Sequence, residues 1–168
     1  MNNNNCGVIL AQAMADTFEL TKIPLKIKKC REDVILPQIS KGNAGIDLRV
    51  LTEDGKPVTL LPNETRKFKT GIKMGIPDGY YIEVVVRSST GIRKNLRLMN
   101  TVGILDPSWK GETIVALHNF GTTPTTIENN ERVCQMIIHK IEDVSIIETE
   151  DIGTSDRGEN GIGSTGRL

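Results

Sequence analysis

From Ile23 onward the apolar and polar residues alternate with the two-residue period of strands. The clearest stretch is residues 67–76, where Phe68, Ile72, Met74 and Ile76 share one parity and Lys67, Lys69 and Lys73 take the other. That pattern predicts an antiparallel strand with one buried and one solvated face. Further β-rich runs occupy residues 80–86, 113–120, 132–141 and 144–148, separated by turn-formers at Pro77-Asp78-Gly79, residues 121–124 and Glu128-Asn129-Asn130. Helical periodicity is weak and confined to residues 91–98. Short strands at fairly regular spacing predict an all-β domain: a sandwich, jelly roll or barrel. Residues 1–20 read as a flexible extension, with an Asn run at Asn2–Asn5 and room for a helical turn or two over residues 8–20. The β domain is expected over residues 21–150, and a glycine-rich arm over residues 151–168.

Composition narrows this picture. A chain of 168 residues with 38% hydrophobic content can fill one core. Lys plus Arg and Asp plus Glu both number 21, so no global field favours nucleic acid or an anionic membrane, and any phosphate site must be built locally. Cys6, Cys30 and Cys134 are odd in number and show no C-x-x-C spacing, which fits a reducing, cytoplasmic setting. No run approaches the roughly 18 apolar residues of a membrane span.

Chemistry-bearing residues gather at the ends of the predicted strands. Ala44-Gly45-Ile46-Asp47-Leu48 sets one carboxylate on a strand that follows a turn. Arg87-Ser88-Ser89-Thr90-Gly91 closes an apolar strand with a guanidinium and hydroxyls suited to an oxygen-rich anion, and read alone it fits a surface ion pair and a helix cap equally well. Residues 100–111, from Asn100 through Gly103-Ile104-Leu105-Asp106 to Trp109 and Gly111, read as a hairpin ending in an acid; by itself that acid could be a turn residue. Gln135 places an amide in an otherwise apolar strand. The tail from Arg157 to Leu168 carries Gly161, Gly163 and Gly166, whose free backbone N–H groups suit a phosphate cradle, although a frayed terminus has the same composition.

In kind, order and spacing these five segments resemble the trimeric dUTP diphosphatase (dUTPase) family, from about residue 23 to residue 168. The resemblance implies a distorted β jelly roll, assembled as a homotrimer with a swapped C-terminal arm. It implies hydrolysis of dUTP to dUMP and pyrophosphate with Mg2+ as cofactor, which limits uracil incorporation into DNA and supplies dUMP for thymidylate synthesis. By motif match Asp106 is the catalytic base that activates water. Asp47 would reach the metal through coordinated water, since Mg2+ sheds its hydration reluctantly. Arg87, Ser88, Ser89 and Gln135 would hold phosphates or the attacking water. Asn100, Gly103, Ile104, Leu105 and Trp109 would form the uracil and deoxyribose slot. Arg157, Ile162, Gly163, Ser164 and Thr165 would close it from the arm.

A strand edge in that slot offers one N–H and one C=O, matching uracil's O4 and N3–H, while cytosine presents the reverse pattern and leaves buried groups unpaired. Two residues depart from the family pattern. Trp109 stands where Tyr is usual beneath the sugar, and Ile162 where the arm usually carries a Phe that stacks on the base. The sibling dCTP deaminases share the Asp-Pro-x-Trp-x-Gly run but need a Glu where this chain has Ala116, which cannot move a proton. The other alternative is a nucleotide-binding or regulatory module with little turnover; a pure binder has no need of a base such as Asp106.

Overall fold

The computed structural model describes residues 22–161 and turns the alternating runs into ten strands and one short helix. The strands are β1 (Lys26–Lys29), β2 (Ile46–Val50), β3 (Val58–Leu60), β4 (Thr65–Gly75), β5 (Tyr80–Val86), β6 (Leu96–Leu98), β7 (Gly103–Leu105), β8 (Glu112–Asn119), β9 (Thr125–Ile127) and β10 (Glu131–Lys140). The helix α1 (Ser88–Lys94) follows β5. One four-stranded sheet has the order β1-β4-β8-β6, a second has β2-β10-β5-β7, and β3 pairs with β9 alone. All the pairings are antiparallel, and neighbours in space are mostly distant in sequence, as a jelly roll requires. The expected extension at residues 1–20 and the arm residues 162–168 lie outside the described residues. Among the described residues no helix is long and apolar enough to cross a membrane.

The core lies between the two large sheets, and parity decides which side chains enter it. In β4, Phe68, Thr70, Ile72 and Met74 are buried while Lys67, Lys69 and Lys73 stay exposed. Leu117 and Val115 of β8 meet Leu48 and Val50 of β2 and Met136 of β10 within one continuous cluster. Each such side chain contributes roughly 1.5–3 kcal/mol relative to exposure, before the cost of ordering the chain. At Gly71, β4 takes φ +72 and slips its register against β8 between Lys69 and Lys73. The space beside Gly71 is already filled by Val34 and Leu51, so the strand bends there around a residue without a side chain.

Three expectations are corrected. Residues 144–148 form no strand: the segment is irregular and exposed, with Ile146 at 97%, and among the described residues no strand pairs with it. The helix begins earlier than residues 91–98 and ends at Asn95, whose left-handed φ of 52° stops it; Leu96 and Leu98 are buried strand residues flanking exposed Arg97. Residues 100–111 are not a hairpin. β6 belongs to one sheet and β7 to the other, so the loop through Thr101 (φ 64°) crosses between sheets.

Candidate active site

The second sheet sets three of the predicted residues side by side. Asp47 of β2 stands level with Gln135 of β10, and Gln135 level with Val85 of β5, so Arg87 emerges just past the end of β5 within reach of both. Arg87 Nε donates to Asp47 Oδ1 at 2.8 Å, and Arg132 Nη1 donates to Asp47 Oδ2 at 3.0 Å. Arg87 also anchors its own backbone: its N–H donates to the Val133 carbonyl at 3.0 Å and its Nη1 to the Arg132 carbonyl at 3.2 Å. Two guanidiniums around one carboxylate leave this corner with a local surplus of positive charge, although the whole chain is neutral. The Gln135 side chain lies across Gly45, where a Cβ would fall 2.3 Å from Gln135 Oε1; only glycine leaves that amide in place.

Arg132 reaches Asp47 because of an irregularity in β10. Strict alternation would send Arg132 inward with Cys134 and Met136. The register slips between Arg132 and Cys134, however, so that Val133 and Cys134 are buried in succession and Arg132 turns out beside Gln135. An extra residue that re-aims a side chain is a common use of a bulge. The sequence reading gave Arg132 no role; its only signal is the pair of consecutive apolar residues after it. Cys134, behind the site, is fully buried, and loss of solvation pushes its thiol up to about 12.

α1 continues from Arg87 and carries Ser88, exposed, and Ser89, half-buried, in its first turn. Neither hydroxyl has a hydrogen-bond partner among the described residues. Arg157 curls onto its own loop, with Nε donating to the Asn160 carbonyl at 2.9 Å and Nη2 to the Gly161 carbonyl at 3.2 Å. Ile162, Gly163, Ser164 and Thr165 lie outside the described residues.

Asp106 stands elsewhere. β7 is the edge strand of the second sheet, and its pairing of Leu105 with Ile82 puts Asp106 one residue beyond, at the end of β5 remote from Arg87. Six residues of strand separate the two levels, or roughly 20 Å at strand rise. Asn100 closes the turn that leads into β7, its carbonyl accepting the Val102 N–H at 2.6 Å. Among the described residues Gly103, Ile104 and Leu105 pair with β5 on one side only, so their other backbone edge can take a planar ring with alternating donor and acceptor. Past Asp106 the chain turns, the Trp109 N–H donating to the Asp106 carbonyl at 3.1 Å, and the half-exposed indole folds over Gly111. The structure thus gathers Asp47, Arg87 and Gln135, with α1 adjoining, and groups Asn100, Gly103–Leu105, Asp106 and Trp109 separately. Within one chain Asp106 does not meet the Arg87 corner.

The donor set also limits how a metal can be held. Among the described residues no three His, Cys, Asp or Glu side chains converge, and both oxygens of Asp47 are engaged by guanidiniums. These residues fit an ion coordinated mainly by phosphate oxygens and water, with Asp47 as an outer partner.

Comparison with known proteins gives a consistent answer. The family model described as dUTPase matches residues 32–166. The deoxyuridine 5'-triphosphate nucleotidohydrolase of Fusobacterium nucleatum subsp. nucleatum is 36% identical over 149 residues, covering 88% of this chain and all of that protein. The enzyme of the same name from Finegoldia magna is 38% identical over 132 residues, covering 78% of this chain and 91% of its own. Among solved structures, a dUTPase of Staphylococcus bacteriophage 80alpha with dUpNHpp superposes with a TM-score of 0.75 at 23% identity, covering 86% of this chain and 99% of that one. This last likeness speaks for the fold.

Proposed function

The chain belongs to the dUTPase family and hydrolyses dUTP to dUMP and pyrophosphate; from that premise we propose how its residues divide the work. Asp106 orients a water molecule and accepts its proton as the water attacks the α-phosphorus. The free edge of β7 takes uracil, and Trp109 packs against the deoxyribose, leaving no room for a 2′-hydroxyl. Arg87, with Ser88, Ser89 and Gln135, receives the triphosphate. On arrival the phosphates compete with Asp47 for the Arg87 guanidinium, while Arg132 keeps Asp47 in place. Mg2+, when bound, offsets charge on the phosphate oxygens, and Asp47 is the side chain that would face its water shell. Arg157, Ile162, Gly163, Ser164 and Thr165 close over the nucleotide from the arm, residues 151–168.

One observation carries this reading: Asp106, at the far end of the unpaired β7 edge, and the cation-rich corner at Arg87 occupy separate places on one chain, roughly 20 Å apart along the sheet. A nucleotide needs both at once. A homotrimer that seats the Asp106 end of one protomer against the Arg87 corner of another satisfies that need. Residues 144–152 support the assembly, because Val144, Ile146, Ile147 and Ile152 are 75–97% exposed on a segment with no strand partner of its own. The unpaired thiols of Cys30 and Cys134 support a cytoplasmic setting.

The experiment is pyrophosphate release from dUTP by the parent and by Asp106→Asn, each sized by light scattering. We expect a trimeric parent, and a trimeric variant slower by about 10²–10⁴-fold, the range for loss of a general base. A variant of undiminished rate, or a fully active monomer, would defeat the assignment.

A further inference from the structure

We propose that Lys94 is a positioning residue for the phosphate-facing helix, and that it acts by fixing α1 to Glu131, the neighbour in β10 of Arg132 and Val133, which hold Arg87. The inference rests on the assignment of Ser88 and Ser89 to the phosphates.

α1 has only seven residues, includes Gly91, and its N-cap residue Arg87 makes no side-chain cap hydrogen bond. A helix this short is far below the roughly 12–15 residues at which helices begin to persist in water, so its place depends on outside contacts. Its start is held by Arg87, on the carbonyls of Arg132 and Val133. Its last residue is Lys94, whose ammonium reaches Glu131 Oε1 at 2.5 Å and donates to the Thr126 carbonyl at 2.7 Å. Glu131 is itself fixed, because its second oxygen accepts the Glu128 N–H at 2.9 Å. The two side chains are mostly covered, with 31% of Lys94 and 21% of Glu131 exposed. Both ends of α1 therefore rest on residues 131–133, separated from Gln135 by Cys134 alone. Buried Thr90 pins the middle turn, and Asn95 ends the helix in a left-handed turn.

Lys94 follows Arg93 in the basic last turn of α1. The structure separates them, leaving Arg93 exposed and Lys94 turned inward to its partners. Neither the Ser88 nor the Ser89 hydroxyl has a hydrogen-bond partner among the described residues, so their distance from Gln135 and Arg132 depends on where the helix is tied. Displacement of a binding group by about an ångström costs up to 10²-fold in rate without touching a reacting atom.

The test uses the full chain and four variants: Lys94→Met, which keeps the stem and removes the donors, Lys94→Arg, Glu131→Gln and Ser88→Ala. We expect Lys94→Met to lose about 10- to 100-fold in kcat/KM for dUTP. Its affinity for a non-hydrolysable dUTP analogue should fall in step, while its affinity for dUMP, which lacks the β and γ phosphates, should change little. Lys94→Arg should recover most of the loss and Glu131→Gln reproduce part of it. Equal losses for dUMP and the analogue, or a Lys94→Met variant at parental kcat/KM, would overturn the proposal. If Lys94→Met does not fold, Glu131→Gln carries the same comparison. Ser88→Ala separates the two levels of argument. Parental kinetics in Ser88→Ala would remove the phosphate assignment itself, whereas a slow Ser88→Ala beside a normal Lys94→Met would remove only the role of Lys94.

Discussion

Cys134 shows how one side chain ties the site to the core. It directly precedes Gln135, has no exposed surface, and burial raises its thiol from the usual 9.0 to about 12. The folded state keeps a proton that the unfolded chain releases above pH 9, so this thiol costs no stability below that pH. Between about pH 9 and pH 12 stability falls by up to about 1.4 kcal/mol per pH unit. Cys134→Val removes that dependence. Urea titrations should therefore show the parent losing stability faster than the variant above about pH 9, and parallel losses would refute the assignment. At the other end of the site, base–aromatic stacking is worth about 1–3 kcal/mol. Ile162→Phe should accordingly lower the KM for dUTP or raise kcat in steady-state kinetics; no change, or a loss, would show that the arm does not rest on the base.

Among the elements, β4 and β10 depart most from regular geometry, and both departures have a use. At Gly71 a Cβ would stand 2.4 Å from Val34 Cγ2 and 2.8 Å from Leu51 Cδ1, at a φ of +72 that a side chain rarely adopts. Gly71→Ala is expected to cost about 2–4 kcal/mol, read as a lower denaturant midpoint with unchanged activity per folded molecule. Parity along the chain was enough to find β4, β5, β8 and β10 within a residue or two, because each buries one whole face. The same rule failed where pairing rather than burial decides. Residues 144–148 look like a strand, yet lack a strand partner among the described residues, and Leu96–Leu98 looks helical until the opposing β8 is seen. Asp47, Arg87, Asp106 and Gln135 were legible as motifs. The bulge that turns Arg132 toward Asp47 was not, since slipping by one residue leaves no mark beyond two adjacent apolar letters. Nor was the tether at Lys94, which depends on a glutamate 37 positions away.

At the scale of the whole molecule, two equal totals of opposite charge conceal a divided surface. Equal numbers of acids and bases give no long-range field, but Arg87 and Arg132 concentrate charge at one end of the second sheet, while Asp106 stands toward the other. That separation makes genetic complementation possible. On the proposed trimer, protomers broken at Asp106 and protomers broken at Arg87 should each be inert as pure populations, since every composite site would inherit the defect. When the two are unfolded together and renatured, mixed rings bring an intact half from each parent face to face, and a fraction of dUTP cleavage should return from two dead stocks. Silence after verified mixing would mean that each chain carries its own complete site.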